Sequence, residues 1–293
     1  MDGGTAALCK LLRWAGQRPG KTGMQGLKIE GETMDLKLTG RTALITGASK
    51  GIGLSVAQWF AREGVNVNLV ARSGEALKKE AAAIATANGV KTQTLAADLA
   101  DAAARERVYN AFSDVDIVVN NAGAVPGGNI HDVDEASWRA GWDLKIFGYV
   151  GMTRHCLKSM EARRHGVIIN IIGLGGERLD ATYIAGAMGN AGLMAFTRAI
   201  GGTSLDHGVR VVGVNPGPVL TDRVEVLGRK RAARLHGDES RWKESFARMP
   251  HGRPATCDEV AAMVVFLASD LCSYVSGTIV TIDGGLAHRG GMP

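Results

Sequence analysis

Cysteine and proline are scarce in this sequence of 293 residues, which contains only 4 Cys and 7 Pro. The cysteines are far apart and form neither a Cys-x-x-Cys pair nor a Cys/His cluster: Cys9, Cys156, Cys257 and Cys272. This spacing argues against a zinc site and against a disulfide framework. We therefore expect no bound metal, and the cysteine usage favours the reducing cytoplasm.

Long apolar runs are missing as well. No stretch approaches the roughly 18 consecutive apolar residues that a membrane span requires, so we expect no membrane partner. The formal net charge is only +5 and is spread along the chain, which predicts that nucleic acid is not a partner either. Apolar residues make up 45% of the sequence, which excludes a disordered chain.

Glycine, by contrast, is abundant, with 40 residues. This density indicates many tight turns and close approaches of the backbone to a bound molecule. The chain is long enough to bury the core of one α/β domain of about 250 residues.

Residues 1–33 differ from the rest of the sequence. The apolar stretch 6–15 is interrupted by Lys10 and Arg13, so it does not resemble a secretory signal. Residues 16–26 have no hydrophobic period. We predict a disordered N-terminal extension, or one that precedes the true start at Met34. The alternative is a targeting or interface helix over Leu8–Trp14.

From residue 34 to residue 293 the sequence predicts a single domain. A strand-like run at 41–46 ends in a glycine-rich turn, a helix follows, and 65–70 forms a second strand. The pattern repeats, with strands expected at 93–97, 115–120, 166–172, 210–214 and 278–282. Such alternation predicts an α/β fold, a Rossmann-type doubly wound parallel sheet in three αβα layers. Only the segment 222–252 interrupts it.

The turn after the first strand has the spacing Gly47-x3-Gly51-x-Gly53. A glycine turn between a strand and a helix directs backbone N–H groups and the helix dipole at a pyrophosphate. The position of this turn at the start of a βαβ unit therefore predicts a dinucleotide cofactor, with a purely structural turn as the alternative.

The end of the second strand distinguishes the two nicotinamide cofactors. An acidic residue there binds the ribose 2′-hydroxyl of NAD, whereas a nearby arginine accommodates the 2′-phosphate of NADP. This sequence has Arg72 and Ser73 and no acid, and Lys50 adds a second cation. We therefore predict NADP(H); the alternative is that Arg72 is a solvated surface residue.

Further motifs occur in order over residues 40–288: Asp98-Leu99, Asn120-Asn121-Ala122-Gly123, Asn215 to Thr221, and Ile282-Asp283-Gly284-Gly285. With the glycine turn, they resemble the short-chain dehydrogenase/reductase (SDR) family in its classical type. The resemblance implies an oxidoreductase that acts on a carbonyl or alcohol. The predicted cofactor residues are Gly47, Ser49, Lys50, Gly51, Ile52, Gly53, Arg72, Ser73, Asp98, Leu99, Asn121, Ala122, Gly123, Pro216, Gly217, Val219 and Thr221.

The catalytic positions of the family do not match. Its members use an Asn, a Ser and a Tyr-x-x-x-Lys pair, in which the Tyr hydroxyl exchanges a proton with the substrate oxygen. Alignment places these four positions at Lys145, Gly173, Gly186 and Asn190. None of the four residues is retained.

A replacement set is nevertheless present. Tyr183 precedes Gly186 by three residues, so on a helix it would lie one turn away on the same face. A tyrosine with an ordinary pKa of about 10 could donate a proton, and Lys145 could lower that pKa. We predict Tyr183, Lys145 and Asn190 as the catalytic residues, with Asn190 hydrogen-bonding the nicotinamide ribose. The alternatives are a packing role for Tyr183 and a salt bridge for Lys145.

Other residues near these positions leave alternatives open. Glu177 and Asp180 are alternative proton carriers. The glycines at 173, 175 and 176 either widen the pocket or form a flexible turn. The rival functions are a non-redox lyase or isomerase and an inactive NADP-binding protein.

The segment 222–252 is rich in arginine and lysine. In the family this insertion closes over the substrate. Its charge could attract an acidic small molecule, or it could simply be the solvated face of amphipathic helices. Family members assemble through helices that correspond to 134–164 and 183–204, and so we expect a homodimer or homotetramer.

Overall fold

Seven strands rich in β-branched residues form the centre of the fold. The computed structural model describes residues 35–289, except for the side chains at 223, 227, 230 and 231. The strands are β1 (Thr42–Thr46), β2 (Asn66–Ala71), β3 (Thr92–Ala96), β4 (Ile117–Asn120), β5 (Gly166–Ile171), β6 (Val209–Pro216) and β7 (Ile279–Ile282). The α-helices are α1 (Gly51–Arg62), α2 (Gly74–Asn88), α3 (Ala102–Ala111), α4 (Glu135–Trp142), α5 (Gly148–Arg163), α6 (Ile184–Ser204), α7 (Asp222–His236) and α8 (Cys257–Ala268).

The strands pair in the order β3-β2-β1-β4-β5-β6-β7, and all of these pairs are parallel. This confirms the predicted doubly wound parallel sheet. The strand order reverses between β1 and β4, and a crevice opens at such a point beyond the carboxyl ends of the strands. The glycine turn after β1 and the Asn121 segment after β4 therefore meet at one edge of the sheet.

Both faces of the sheet are covered by helices. Ala43 and Ile45 of β1 belong to one buried cluster, which includes Phe60 of α1. Leu44 points the opposite way and packs in a second cluster with Met152 of α5. Alternation of side chains across a strand explains this division. Because both faces are buried, the strands read as nearly continuous apolar runs.

A chain of buried polar side chains crosses the middle of this core. The Asn120 amide donates to Asn170 Oδ1 (2.9 Å) and Thr153 Oγ1 (3.2 Å). The Asn170 amide in turn donates to Thr197 Oγ1 (3.0 Å). Asn120 and Asn170 are direct register partners in β4 and β5. The chain therefore connects these two strands to α5 and α6.

The segment that interrupts the predicted pattern is a compact helical insertion. It consists of α7 followed by a 3-10 helix over Glu239–Arg248. Trp242 and Phe246 meet edge to face, with ring centroids 5.2 Å apart, and pack with Ala232 in a small separate cluster. The insertion thus has apolar packing of its own.

The described residues from Leu36 onward form one compact unit. The predicted extension over residues 1–33 lies outside the described residues. Between residues 35 and 289, none of the helices combines the length and apolar content needed to cross a bilayer. Several apolar residues of α5 and α6, among them Met152, Met160 and Leu193, are buried in the core of the chain itself.

Candidate active site

A cavity of about 1680 Å³ opens at the carboxyl ends of the strands. It brings together 17 of the 20 predicted site residues: Gly47, Ser49, Lys50, Ile52, Arg72, Ser73, Leu99, Asn121, Ala122, Gly123, Lys145, Tyr183, Asn190, Pro216, Gly217, Val219 and Thr221. Gly51, Gly53 and Asp98 do not line it. Asp98 is exposed, and its carboxylate accepts a hydrogen bond from the Ala100 N–H (3.1 Å) in the turn before α3.

The helix that follows the glycine turn begins at the cavity without a cap. The residue before α1 is Lys50, and no side chain of the described residues accepts a hydrogen bond at this end. In contrast, α2, α3, α4, α7 and α8 are capped by Ser73, Asp101, Asp134, Thr221 and Thr256. The free N–H groups of the first turn of α1 fit the pyrophosphate of a dinucleotide.

The glycine turn is packed tightly against the end of β4. An alanine β-carbon at Gly53 would lie 2.5 Å from both the Gly47 carbonyl oxygen and Asn121 Nδ2. The Asn121 amide donates to the carbonyls of Thr46 (2.9 Å) and Gly47 (3.2 Å). Thr46 Oγ1 accepts the N–H groups of Asn121 and Ala122. Sequence reasoning missed this role of Thr46, the last residue of the strand-like run at 41–46.

Two cations lie at the adenosine end of the cavity. Lys50 Nζ is 3.6 Å from Asp222 Oδ2, and both side chains are largely exposed, so this contact is weak. Arg72 is exposed and makes no ion pair with any side chain that the structure describes. Arg72 is therefore a cavity-lining cation without an ion-pair partner among these side chains.

The phenol ring of Tyr183 occupies the volume that a side chain at position 186 would fill. An alanine β-carbon at Gly186 would overlap the ring and lie 2.5 Å from the Tyr183 hydroxyl oxygen. The sequence had suggested a position for Tyr183 on a helix. In the structure, Tyr183 is instead the residue immediately before α6. It also packs with Val125 and Trp142 in a small apolar cluster.

The backbone around Tyr183 is held in place by a neighbouring loop. The Gly128 N–H donates to the Thr182 carbonyl (2.8 Å), and the Ile184 N–H donates to the Gly128 carbonyl (3.2 Å). These two hydrogen bonds bracket Tyr183 and form an isolated parallel bridge. The phenol is therefore carried by a fixed backbone.

Lys145 enters the cavity from a π-helical turn over Asp143–Phe147, between α4 and α5. Such turns add a residue to a helix and often occur at functional sites. The Lys145 side chain lies against Gly123, where an alanine β-carbon would be 2.9 Å from its Cδ. Lys145 Nζ donates to the Ile172 carbonyl, next to Gly173. The Lys145 side chain is thus hydrogen-bonded to the backbone just beyond the end of β5.

Asn190 is 2% exposed and forms the floor of the cavity. Its Oδ1 is buried and has no hydrogen-bond partner within residues 35–289. Its Nδ2 lies 3.3 Å from the point that a β-carbon at Gly173 would occupy. A buried polar atom without a partner costs about 1–3 kcal/mol. A ribose hydroxyl would satisfy this acceptor, so the residue fits the sugar of a nicotinamide nucleotide.

The two alternative proton carriers are engaged elsewhere. Glu177 does not line the cavity, and its Oε2 accepts from Thr281 Oγ1 (2.9 Å) and Asn215 Nδ2 (3.3 Å). Asp180 lines the cavity, but its Oδ1 accepts the N–H (2.8 Å) and the hydroxyl (2.7 Å) of Thr182. Both carboxylates therefore have a structural role.

The three glycines of the same segment have different roles. An alanine β-carbon at Gly176 would lie 2.5 Å from the Ala191 N, so this glycine permits close packing of the backbone against α6. Gly173 and Gly175 line the cavity and remove side chains from it. Gly173 has a φ of +129°, which side-chain-bearing residues rarely adopt. The widened-pocket alternative thus fits two of the three positions.

Tyr149, next to this site, has a different environment from Tyr183. It is buried, and its hydroxyl donates to the Ile171 carbonyl (2.8 Å). Burial, followed by the proximity of Tyr183, raises the pKa of Tyr149 far above its usual value. Of these two tyrosines, Tyr183 is the one that lines the cavity.

The wall opposite the cofactor motifs contains residues that sequence reasoning missed. Arg178 and Leu179, from the segment between β5 and α6, line the cavity. So do Leu235 and His236 of α7, Arg248 and Met249 of the insertion, and Leu286. Nothing in the spacing of Arg178 distinguished it from a surface arginine. In the same described part of the chain, no group of three or more His, Cys, Asp or Glu side chains could hold a metal ion.

Comparisons with known proteins agree with this geometry. A family model described as enoyl-(acyl carrier protein) reductase matches residues 47–287. The chain is 31% identical over 257 residues to the 3-oxoacyl-(acyl-carrier-protein) reductase FabG of Aquifex aeolicus, which covers 86% of this chain and 100% of the relative. It is 35% identical over 254 residues to the oxidoreductase UcpA of Escherichia coli K12, with 85% and 95% covered.

Among solved structures, L-sorbose reductase from Gluconobacter frateurii, in complex with NADPH and L-sorbose, is similar, with a TM-score of 0.81 and 30% identity. The match covers 87% of this chain and 100% of that one. The protein is thus of the Rossmann-type dinucleotide-binding class. It belongs to the short-chain dehydrogenase/reductase family of oxidoreductases, as its motifs predicted.

Proposed function

We propose that this protein is an NADP(H)-dependent oxidoreductase that interconverts a carbonyl and an alcohol, with Tyr183 as the proton donor. One observation carries the proposal: the Tyr183 phenol fills the volume of a side chain at position 186, where the family has its catalytic tyrosine. The phenol thus reaches that place from three residues earlier in the chain.

The cofactor would be held by residues already described. The uncapped start of α1 would bind the pyrophosphate, and Arg72 the 2′-phosphate. Asn190 would accept a hydrogen bond from the nicotinamide ribose through its orphaned Oδ1. When bound, NADPH supplies the hydride for carbonyl reduction. L-sorbose reductase, a structural neighbour, is in complex with NADPH, which supports this choice of cofactor.

The chain itself handles the proton. A protonated Tyr183 hydroxyl donates its proton to the oxygen of the substrate carbonyl, and in alcohol oxidation the Tyr183 phenolate accepts the proton of the substrate hydroxyl. Lys145 brings a positive charge to the neighbourhood of Gly173, which favours the phenolate left after proton transfer. Because Gly173 has no hydroxyl to orient the substrate, Lys145 and Asn190 are the polar groups beside the space where that oxygen would lie.

Replacement of Tyr183 by Phe tests the proposal. We expect the variant to bind NADPH with unchanged affinity, measured by quenching of its intrinsic fluorescence. NADPH oxidation, followed at 340 nm with a panel of ketones and aldehydes, should fall at least 100-fold, within the usual contribution of a general acid.

A matched control is Tyr149→Phe, which removes a buried hydroxyl near the cavity that we do not place in catalysis. Full activity of Tyr183→Phe would refute the assignment of the proton donor. Turnover by the wild type without a change at 340 nm would instead indicate a non-redox enzyme, and NADPH binding without any turnover would indicate an inactive binding protein.

A further inference from the structure

Two arginines from different parts of the chain line the substrate end of the cavity. Arg178 belongs to the segment between β5 and α6, and Arg248 is the last residue of the 3-10 helix of the insertion. Both are linked to the same C-terminal segment. Arg178 Nη1 donates to the Leu286 carbonyl (3.4 Å), and Arg289 Nη1 donates to the Arg248 carbonyl (3.1 Å). The segment 286–289 thus contacts the Arg178 side chain and the Arg248 backbone, and its Leu286 lines the same cavity as both arginines.

These arginines differ from three others in and around the insertion whose side chains the structure describes. Arg229, Arg241 and Arg253 each form an ion pair, with Glu225 (2.8 Å), Glu244 (2.7 Å) and Glu259 (2.7 Å). Among the side chains that the structure describes, neither Arg178 nor Arg248 has a carboxylate partner. An arginine that lines a cavity without an acidic partner is available to an anionic ligand.

The carboxylates at this end of the cavity do not offset the two arginines. Glu244 is bound by Arg241 through two hydrogen bonds, of 2.7 and 2.8 Å. Asp180 accepts hydrogen bonds from the backbone and the hydroxyl of Thr182. The positive charges of the two arginines are therefore not neutralised by these carboxylates, and the wall of the cavity has an excess of positive charge.

Apolar side chains complete the same wall. Leu179 is 74% exposed and Leu235 is 57% exposed, yet both line the cavity beside Met249 and Leu286. Exposed leucines on a concave surface gain from burial by a ligand, at about 25 cal/mol per Å² of apolar area. The wall thus suits an aliphatic body rather than a sugar-like one.

We infer that this end of the cavity binds an aliphatic carboxylate, with its carboxylate group on Arg178 and Arg248 and its chain on Leu179 and Leu235. The inference rests on the proposed function for the reaction itself: the substrate would be an aliphatic oxo acid whose carbonyl lies near Tyr183. Binding of the carboxylate does not depend on that reaction.

Octanoate and octanamide provide a matched pair of probes that differ in charge and carry no reducible ketone. Calorimetric titration of the full chain, alone and with saturating NADP⁺, should show that octanoate binds at least tenfold more tightly than octanamide. The variants Arg178→Gln and Arg248→Gln should each weaken octanoate binding at least tenfold and leave octanamide binding unchanged.

Arg234→Gln is the control variant. Arg234 is an exposed arginine of α7, without an ion pair among the described side chains, and it does not line the cavity. Its loss removes the same unit of charge from the neighbouring helix, so octanoate affinity should change less than twofold. An equal loss in Arg234→Gln would show a general charge effect and would overturn the inference. Absence of octanoate binding, or equal affinity for octanamide, would overturn it too.

The inference and the proposed function can fail separately. If octanoate binds as expected but no oxo acid supports NADPH oxidation, then the carboxylate site stands and the reductase proposal fails. If ketones are reduced while octanoate does not bind, then the reductase proposal stands and the substrate class is wrong.

Discussion

The two glycine-rich segments next to the cavity use glycine in opposite ways. In the turn over residues 47–53, the missing β-carbon lets backbone meet backbone, since a β-carbon at Gly53 would lie 2.5 Å from the Gly47 carbonyl oxygen. At Gly186, the missing β-carbon instead admits the ring of Tyr183. One region packs backbone against backbone, and the other places a side chain in the volume that glycine leaves open.

This difference explains why the two regions are unequally visible in the sequence. A backbone turn around a pyrophosphate needs glycines at fixed spacing, so the turn can be recognised in the sequence as a motif. A side chain that occupies the volume of another leaves no motif, because the glycine and the tyrosine are each ordinary on their own. The family pattern therefore failed at these positions, and Tyr183 was predicted from its spacing to Gly186 instead.

Gly186→Ala should have the largest effect on activity. The new methyl group would overlap the Tyr183 ring, and a side chain can move away more easily than a backbone. We expect a loss of turnover of at least about 100-fold, with thermal stability and NADPH affinity nearly unchanged. Activity assays measure the turnover, and thermal denaturation measures the stability. Gly192→Ala in the same helix meets no atom within 4 Å and should stay active; comparable activity of the two variants would contradict this picture.

Gly53→Ala tests the opposite use of glycine. Its methyl group would collide with the Gly47 carbonyl, which cannot move without distortion of the turn. We expect a stability loss of about 1–3 kcal/mol together with weaker NADPH binding, measured by chemical denaturation and fluorescence titration. The control is Gly202→Ala, in open space on α6, which should be neutral or stabilising by up to about 1 kcal/mol. Wild-type stability and NADPH affinity in Gly53→Ala would show that the turn tolerates a side chain.

Arg72→Gln tests whether the proposed cofactor region distinguishes NADPH from NADH. A charged hydrogen bond to a phosphate contributes about 1.5–3 kcal/mol, so NADPH affinity should fall at least tenfold while NADH affinity stays the same. Lys50→Gln should have a smaller effect, because Lys50 already faces Asp222 at 3.6 Å. Equal losses for NADPH and NADH would show that Arg72 does not distinguish the two cofactors.

Glu259 affects the scaffold behind the cofactor region. Its carboxylate and the Thr256 hydroxyl cap α8 reciprocally, just after Ala255, which pairs with the backbone of the cofactor-lining segment 218–220. The hydrogen bond from Arg253 lowers the pKa of Glu259 to about 2, from an ordinary value of 4.5. Because the folded pKa is the lower one, the stabilisation is present above about pH 4.5 and is lost as the pH falls toward 2.

Glu259→Gln should therefore have the smallest effect. Near pH 7 it should cost about 1 kcal/mol, a typical value for a helix cap, since solvent screens the largely exposed ion pair. Urea denaturation at several pH values should show the two proteins converging near pH 2. A difference that persists or grows at low pH would exclude an electrostatic origin.

Most of the fold could be predicted from the sequence. All seven strands lie within a few residues of their predicted positions, because alternating apolar runs and helical periods are local signals. The insertion over 222–252 was predicted only as an interruption of the pattern, with amphipathic helices as one interpretation. Its compact packing could not be predicted, since the contact of Trp242 with Phe246 is a tertiary one. The π-helical turn at Lys145 was missed for a similar reason: a single added residue in a helix changes the register without changing the composition.

The candidate site was predictable where it depends on backbone and less so where it depends on side chains. Arg178 could not be distinguished from a surface arginine, because its place at the cavity depends on a hydrogen bond to Leu286, more than 100 positions away in the sequence. Asp98 was assigned to the cofactor site on the resemblance alone. In the structure its carboxylate turns to the Ala100 N–H.

The paired amides of Asn120 and Asn170 act as a check on the assembly of the sheet. They face each other only in the observed register of β4 and β5. A slip of one residue would shift one strand by about 3.3 Å and reverse the faces of its side chains. Both amides would then be buried among apolar side chains without partners, which is costly. β4 leads directly into Asn121 and β5 into Gly173, so a wrong register would also displace these cavity-lining residues. The cost of the unpaired amides therefore disfavours a chain with a misshapen cavity.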